Sequence, residues 1–290
     1  MSNNIYKHDN LIDIIIEYIK THDKYHKLFN HFNQKYQIKD LFRAVFYKLS
    51  EGIPFRKLED IKLNVKWNNV VYFTKKLCVS GLFDEMPIDF TNHYINLIGN
   101  KLTTINVDST LIHNKLGSDD VTYNPQFKKH KSSKITIFVD NFNIPIYSTV
   151  TSSNVHDAKV CNDHIGQIAK QFPNLCTNNI YVVGDAAYDS SNIRNNIADN
   201  NIGELVCPKN PRRSKKINKP TKKTAKDLLN KVLIKNRTGI EHFNSLLKQF
   251  KTIDRRFQRY VINYNLFVKI AMCILFYKKV GNIYEYSLEI

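Results

Sequence analysis

The chain has no CxxC pair. Its five cysteines, Cys78, Cys161, Cys176, Cys207 and Cys273, are odd in number and scattered over 290 residues. That spacing offers neither a thiolate zinc site nor a disulfide framework, and it suits a reducing compartment. A long hydrophobic run is also missing: the greasiest stretch, Ile270–Tyr277, lies between Lys269 and Lys278 and is too short to cross a bilayer. The N-terminal MSNNIYKHDN lacks the apolar centre of a signal peptide. Acid is scarce, with Asp+Glu 26 against Lys+Arg 43, which leaves a net charge of +17. Together these features describe an intracellular protein with no membrane partner, and a polyanion, nucleic acid first, as its expected ligand. The expected place is cytoplasm or nucleoid in a bacterium, and nucleus or viral replication site otherwise.

What is present supports a packed core, since 42% of residues are hydrophobic and 12% aromatic. Residues 1–100 carry apolar side chains at helical spacing, in Leu11 to Ile19, in Leu41 to Leu49 and again from Trp67 to Leu77, with turns at Gly52-Ile53-Pro54 and Gly81. Short helices with exposed Lys and Arg suit a DNA-binding helix-turn-helix module, and a plain helical bundle fits the same pattern.

From residue 101 the period changes. LTTINVDST, KITIFVD, IPIYSTVTS, IYVVGD and GELVCP are five strand candidates rich in Val, Ile, Thr and Tyr. Helical segments at 157–172 and 190–200 separate the last three. Three strands, helix, strand, helix, strand is the order of a ribonuclease H-like core, a mixed five-stranded sheet flanked by helices. The expected division is therefore 1–100 helical and 101–290 catalytic, with a basic insertion at 208–235. That insertion holds eleven Lys/Arg and one acid, and Pro208, Pro211 and Pro220 argue against regular structure through its first part. It reads as a mobile arm whose Arg212, Arg213, Lys215 and Lys216 would meet DNA.

Two strand candidates end on a carboxylate followed by small or hydroxyl residues: NVDST at Asp108 and VVGDAA at Asp185. In the ribonuclease H-like order, strands one and four lie side by side, which brings the two acids together. A third acid comes from RTGIEHFNSLLKQF at 237–250. At 100° per residue Arg237, Glu241, Asn244 and Lys248 share one polar stripe, while Ile240, Phe243, Leu246, Leu247 and Phe250 cover most of the rest. An exposed Arg237–Glu241 pair would explain that acid alone; two strand-end aspartates make a shared site the better account.

These segments resemble the signatures of bacterial insertion-sequence DDE transposases. NRTGIEHFNSLLK is similar to a C-terminal motif of tyrosine, arginine, glutamate and lysine, matched by Arg237, Glu241 and Lys248, with Ile234 where the tyrosine would stand. NVDST and GDAAYDSS are similar to the first and second acid motifs. The stretch NPQFKKHKSSKITIFVDNFNIPIYSTVTSSNVHD is similar to what lies between the first two acids, and LFRAVFYKLSEGIPFRKLEDI to the helical module. The resemblance implies a catalytic triad of Asp108, Asp185 and Glu241. Two Mg²⁺ ions would be held there, with Mn²⁺ able to substitute, Asp108 bridging both and each of the other acids holding one. It further implies phosphate contacts by Arg237 and Lys248, and a dimer acting on double-stranded transposon ends and target DNA.

Mg²⁺ prefers carboxylate oxygen over Cys or His. Three carboxylates about 5 Å apart would otherwise repel by about 3 kcal/mol per pair at an effective dielectric near 20. Arg255, Arg256 and Arg259, interleaved with Phe257 and Tyr260, read as a further phosphate-contacting face. The expected activity is cutting of transposon ends and joining of the freed 3′-hydroxyl to target DNA. A stand-alone nuclease of the same fold, or a domesticated DNA-binding protein that no longer cuts, are the alternatives.

Overall fold

Apolar residues repeating every three and four positions wind the N-terminal chain into helices. The computed structural model describes residues 5–61, 63–124, 130–177, 180–208, 225–235 and 237–287. Helix α1 (Asp9–Thr21) buries Leu11, Ile12, Ile15 and Ile19, and is followed by α2 (Asp23–Lys35) and α3 (Ile38–Glu51), which buries Leu41, Phe42, Val45, Phe46 and Leu49. Arg43 ties α1 to α3, bonding Asp9 at 2.5 Å and Asp40 at 2.7 Å. Gly52 ends α3 in the left-handed region, its N–H on the Lys48 carbonyl. A side chain there would be strained and would also press on Lys251. The expected short helix FRKLED is a 3₁₀ turn, Phe55–Asp60, before α4 (Trp67–Ser80) and α5 (Leu82–Ile98).

The strands are β1 (Thr104–Asn114), β2 (Thr122–Tyr123), β3 (Lys131–Asp140), β4 (Pro145–Ser152), β5 (Ile180–Val183), β6 (Gly203–Val206) and β7 (Arg255–Arg256). Helices α6 (Asp157–Gln171) and α7 (Ser191–Asp199) separate β4, β5 and β6. The sheet runs β2-β3-β1-β5-β6, with β4 on β3 and β7 on the end of β1. Strands β3 and β4 are antiparallel, whereas β1, β5 and β6 are mutually parallel. This is the expected mixed sheet, and β2 and β7 are two-residue additions that no periodicity could signal.

The chain continues through α8 (Ala225–Lys235), α9 (Thr238–Lys248), α10 (Lys251–Asp254) and α11 (Val261–Ser287). The basic arm therefore differs from expectation in its last third: Ala225–Lys235 is helical, driven by Leu228, Leu229, Val232 and Leu233 at helical spacing. Arg212, Arg213, Lys215 and Lys216 lie outside the described residues. Helix α11 also exceeds the eight-residue apolar stretch read from sequence. Its Val261–Gly281 segment is long and apolar enough to cross a membrane by length and composition, but 61% of its apolar window is buried within the structure. It packs on α3 and α4 as a core helix.

Contacts gather the chain into two compact units, each built from more than one stretch of sequence. One comprises Met1–Pro87, His113–Asp119 and Leu246–Ile290; the other Ile88–Ile112 and Asp120–Ser245. Most of the sheet and all three candidate acids belong to the second.

The strand-end positions expected for the first two acids differ in the structure, with Asp108 inside β1 and Asp185 two residues past β5, while β3 does end on an aspartate that does different work. Asp140 closes β3 and is fully buried. Its Oδ1 accepts the Phe142 and Ile144 N–H groups at 2.8 Å each, and its Oδ2 accepts the Tyr94 hydroxyl at 2.6 Å. Asn106 and Thr103 of the β1 end meet Asp140 and Asn141, while Ser109 meets Thr136, so β3 runs opposite to β1. Asp140 thus lies at the other edge of the sheet, stapling a turn. Replacing Asp140 by Ala would leave two buried N–H groups and a phenol unpaired, at a cost of about 3 kcal/mol or more. Urea unfolding should show a clearly lowered midpoint; an unchanged midpoint would mean the donors are satisfied without the carboxylate.

Candidate active site

The pairing of β1 with β5 places the first two acids. Thr104 pairs with Tyr181, Ile105 with Val182 and Asn106 with Val183. The pairing stops there: Asp108 lies two residues past Asn106 inside β1, Asp185 follows two residues beyond the end of β5, and the charge of Asp185 acts on Asp108. Gly184 precedes Asp185 for a steric reason: a Cβ there would stand 2.9 Å from the Tyr188 side chain. Asp185 then turns the chain, its Oδ1 accepting the Ala187 N–H at 2.8 Å.

Helix α9 supplies the rest. Its Ile240, Phe243 and Leu247 are fully buried, as the stripe predicts, and this fixes the polar face toward β1. Asn244 Nδ2 donates to Asp108 Oδ2 at 2.9 Å. Arg237 Nη2 stands 3.8 Å from Asp108 Oδ1 and 3.9 Å from Glu241 Oε1, so one guanidinium lies between the first and third acids. Glu241 is the most open of the group, with a side chain 66% exposed. Lys248, seven residues further along α9, is half-buried and belongs to the other compact unit.

Burial holds the Asp108 carboxyl above its ordinary range. Arg237 and the Ser109 N–H draw it back, and the negative charges of Asp185 and Glu241 push it up again. Asp108 is therefore close enough to feel both of the other acids. Among the described residues, however, no three His, Cys, Asp or Glu side chains are grouped tightly enough to hold an ion as they stand. The donor chemistry fits Mg²⁺ or Mn²⁺ all the same. The donors are hard carboxylate oxygens in surplus over a single nearby cation, and beside them Asn244 Oδ1 is buried with no hydrogen-bond partner.

Sequence reasoning placed Asn244 in the stripe without giving it a task, and its bond to Asp108 is the task. It also left Tyr188 undecided. The ring is buried, its phenol pushed up by burial, and its hydroxyl meets Ser109 Oγ at 3.0 Å, which meets Thr136 Oγ1 at 2.8 Å. The signal was the hydroxyl residue after the first acid. Nearby, Lys134 of β3 is buried and pairs with Asp157 at 2.5 Å, while His156 rather than Asp157 caps α6.

One expected DNA contact is withdrawn. Arg256 is 0% exposed, and its guanidinium is spent on Asp119 at 2.5 Å. A side chain without access to solvent cannot reach a phosphate. Arg255 is exposed, near Asp254 at 3.8 Å.

Because the Asp108 carboxyl titrates above its unfolded value, the ion-free protein binds that proton on folding. Stability therefore rises as pH falls from above the raised value toward the ordinary one, and is lost on the way up. Asp108→Asn keeps the shape and removes the charge. In chelator at neutral pH, scanning calorimetry should find a higher Tm than for the parent, with the difference shrinking in acid. A lower Tm would mean that Arg237 and Asn244 more than offset the burial of the charge.

The sequence matches a known family, described as Transposase DDE domain, over residues 99–276. A comparison with curated proteins gives no match. Among solved structures, a piggyBac transposase synaptic complex with hairpin DNA aligns over 84% of this chain and 67% of its own, with 9% identity and a TM-score of 0.50. That likeness concerns the fold alone. A Mos1 transposase paired-end complex with left transposon end covers 73% of this chain and 76% of its own, at 9% identity and a TM-score of 0.28. A Mos1 mariner paired-end complex with Mn covers 83% and 78%, at 10% identity and 0.27, too distant to carry an argument. The match spans more than half of the 290 residues and includes all three acids. With its ribonuclease H-like sheet, the chain belongs to the DDE transposase family.

Proposed function

We propose that this protein is a metal-dependent DNA transposase that cuts the ends of a mobile element and joins the freed 3′-hydroxyl to target DNA. The observation that supports the proposal is that the charges of Asp185, just beyond β5, and of Glu241 on α9 both act on Asp108 in β1, the parallel neighbour of β5. Asp108, Asp185 and Glu241 would hold two Mg²⁺ ions, Asp108 sharing both. Bound there, the ions would activate the attacking oxygen and stabilise the leaving one.

The chain's own part is to hold the acids ready. Asn244 fixes one Asp108 oxygen and leaves the other directed at Arg237. The Ala187 N–H fixes one Asp185 oxygen and leaves its second free of that bond. Arg237 has a planar, always charged fork suited to a phosphate, so the group that offsets the acids is also one that would grip DNA. Lys248 is assigned the same duty by its match to the family motif. The DNA complex is proposed to be a dimer working inside the cell on duplex ends and target, with residues 1–100 and the arm supplying sequence-independent grip.

Asp185→Asn removes a metal ligand and no phosphate contact. On DNA carrying the sequences that flank the gene, the variant should lose Mg²⁺-dependent cleavage while binding with nearly unchanged affinity. Cleavage at the parental rate would remove Asp185 from the mechanism. Cleavage by the parent without joining would instead favour the nuclease reading.

The arm makes a separate, electrostatic prediction. Each cation that neutralises a phosphate adds roughly 0.9 to the slope of log K against log salt on duplex DNA. Changing Arg212, Arg213, Lys215 and Lys216 together to Ala should flatten the slope by roughly two to four. The loss should be alike on specific and random sequences, because phosphates carry no sequence information. An unaltered slope would make the arm a solvated spacer.

A further inference from the structure

Two loops of the first compact unit are locked together by the buried arginine that was withdrawn above. Arg256 donates to Asp119 Oδ1 at 2.5 Å, to the Gln258 carbonyl at 3.1 Å and to the Arg259 carbonyl at 3.3 Å, and lies over the Tyr264 ring. Asp119 Oδ2 in turn accepts the Val261 N–H at 2.9 Å. The Lys115 and Leu116 N–H groups donate to the Arg256 carbonyl, and the Ser118 N–H to that of Arg259. Gly117 is required for the closeness of the approach, since a Cβ there would sit 2.7 Å from Arg256 Nε.

This fastening would be expected to hide the apolar side chains of the two loops. It does the reverse. Phe257 is 48% exposed, Tyr260 52% and Leu116 65%. Exposed cations flank them, Lys115, Arg255 and Arg259, and the Arg259 guanidinium lies 5.6 Å from the Tyr260 ring centre. A single exposed apolar residue needs no explanation. Two rings on a loop pinned by a buried ion pair, interleaved with cations, do.

We propose that Phe257 and Tyr260 form a stacking platform for unpaired bases of a DNA strand, with Arg255, Arg259 and Lys115 holding the adjoining phosphates. The proposal rests on the reading of DNA as the partner and goes beyond it. Duplex DNA hides its base faces in its own stack, so the cations alone would serve a duplex. Exposed ring faces add affinity only where a base face is free. The charge of the patch matches a polyanion. Of the acids beside it, Asp119 is already neutralised by Arg256, and Asp254 stands 3.8 Å from Arg255.

The test uses the full-length protein and two probes, an oligothymidylate of about 20 nucleotides and a random-sequence duplex of similar length. Phe257→Ala and Tyr260→Ala should each weaken binding to the single strand by about 5-fold or more. Duplex affinity should change by less than about twofold. Phe257→Trp and Tyr260→Trp, which keep a ring, should retain single-strand affinity and show that the surface folds normally. Arg255→Ala with Arg259→Ala should weaken both probes and flatten both salt slopes. If the parent binds duplex but the Ala variants bind the single strand as the parent does, the platform is refuted and the DNA reading stands. If the parent binds neither probe, the DNA reading fails and the platform with it. Equal losses on both probes, or loss of a self-association in the same variants, would overturn the proposal in favour of a general clamp or a second copy of the chain.

Discussion

The repulsion that Asp185 and Glu241 exert on the largely buried Asp108 carboxylate is what the rest of the site answers. The parallel β1–β5 pairing carries Asp108 inside one strand and Asp185 just beyond the end of the other. Arg237 reaches both Asp108 and Glu241, and Asn244 bonds an oxygen of Asp108. Together they do not suffice, because burial still keeps the Asp108 carboxyl above its usual range. A site that is electrostatically unsatisfied by its own residues stores a driving force for cation binding, which is the expected condition of a catalytic centre rather than of a structural ion pair.

Helix α9 serves the core and the site at once, and the two duties do not compete. Its apolar face is buried through Ile240, Phe243 and Leu247, which fixes the rotation of the helix about its axis. With that rotation set, every fourth residue on the other face must point the same way, so Arg237, Glu241 and Asn244 arrive as a set. A polar substitution on the apolar face would therefore act on the site as well, by turning the stripe away from β1.

Much of this was legible because the relevant patterns are local. Five strands, their alternation with helices and the stripe on α9 all follow from period and composition, and the site elements inherit their positions from the sheet order. What was not legible depends on long-range pairing. Asp140 closes its strand in the way the sequence suggested for Asp108 and Asp185, and only the antiparallel direction of β3 sends it to the opposite edge. Arg256 sits in a run that reads as a basic face, and only its pairing with Asp119, distant in sequence, reveals it as buried. That Leu246–Ile290 joins Met1–Pro87 in one unit is likewise invisible to a linear reading, because it follows from α11 packing on α3 and α4.

The net charge of +17 invites the conclusion that the cations of this chain face DNA. The structure divides them. Arg43, Lys134, Arg194 and Arg256 each spend their charge on an acid of their own unit, at 2.5 to 2.8 Å. Lys134 and Arg256 do so with almost no solvent contact, and a buried cation without its acid would be strongly destabilising. Their acids, Asp157 and Asp119, stay partly exposed, but each is neutralised by its buried cation. Internal pairing takes equal numbers of both signs, so it leaves the excess unchanged while concentrating it on the exposed remainder. The surface that DNA would meet is thus more purely basic than the overall composition suggests, and the acids left open to solvent near the sheet edge include Glu241, where a cation is wanted.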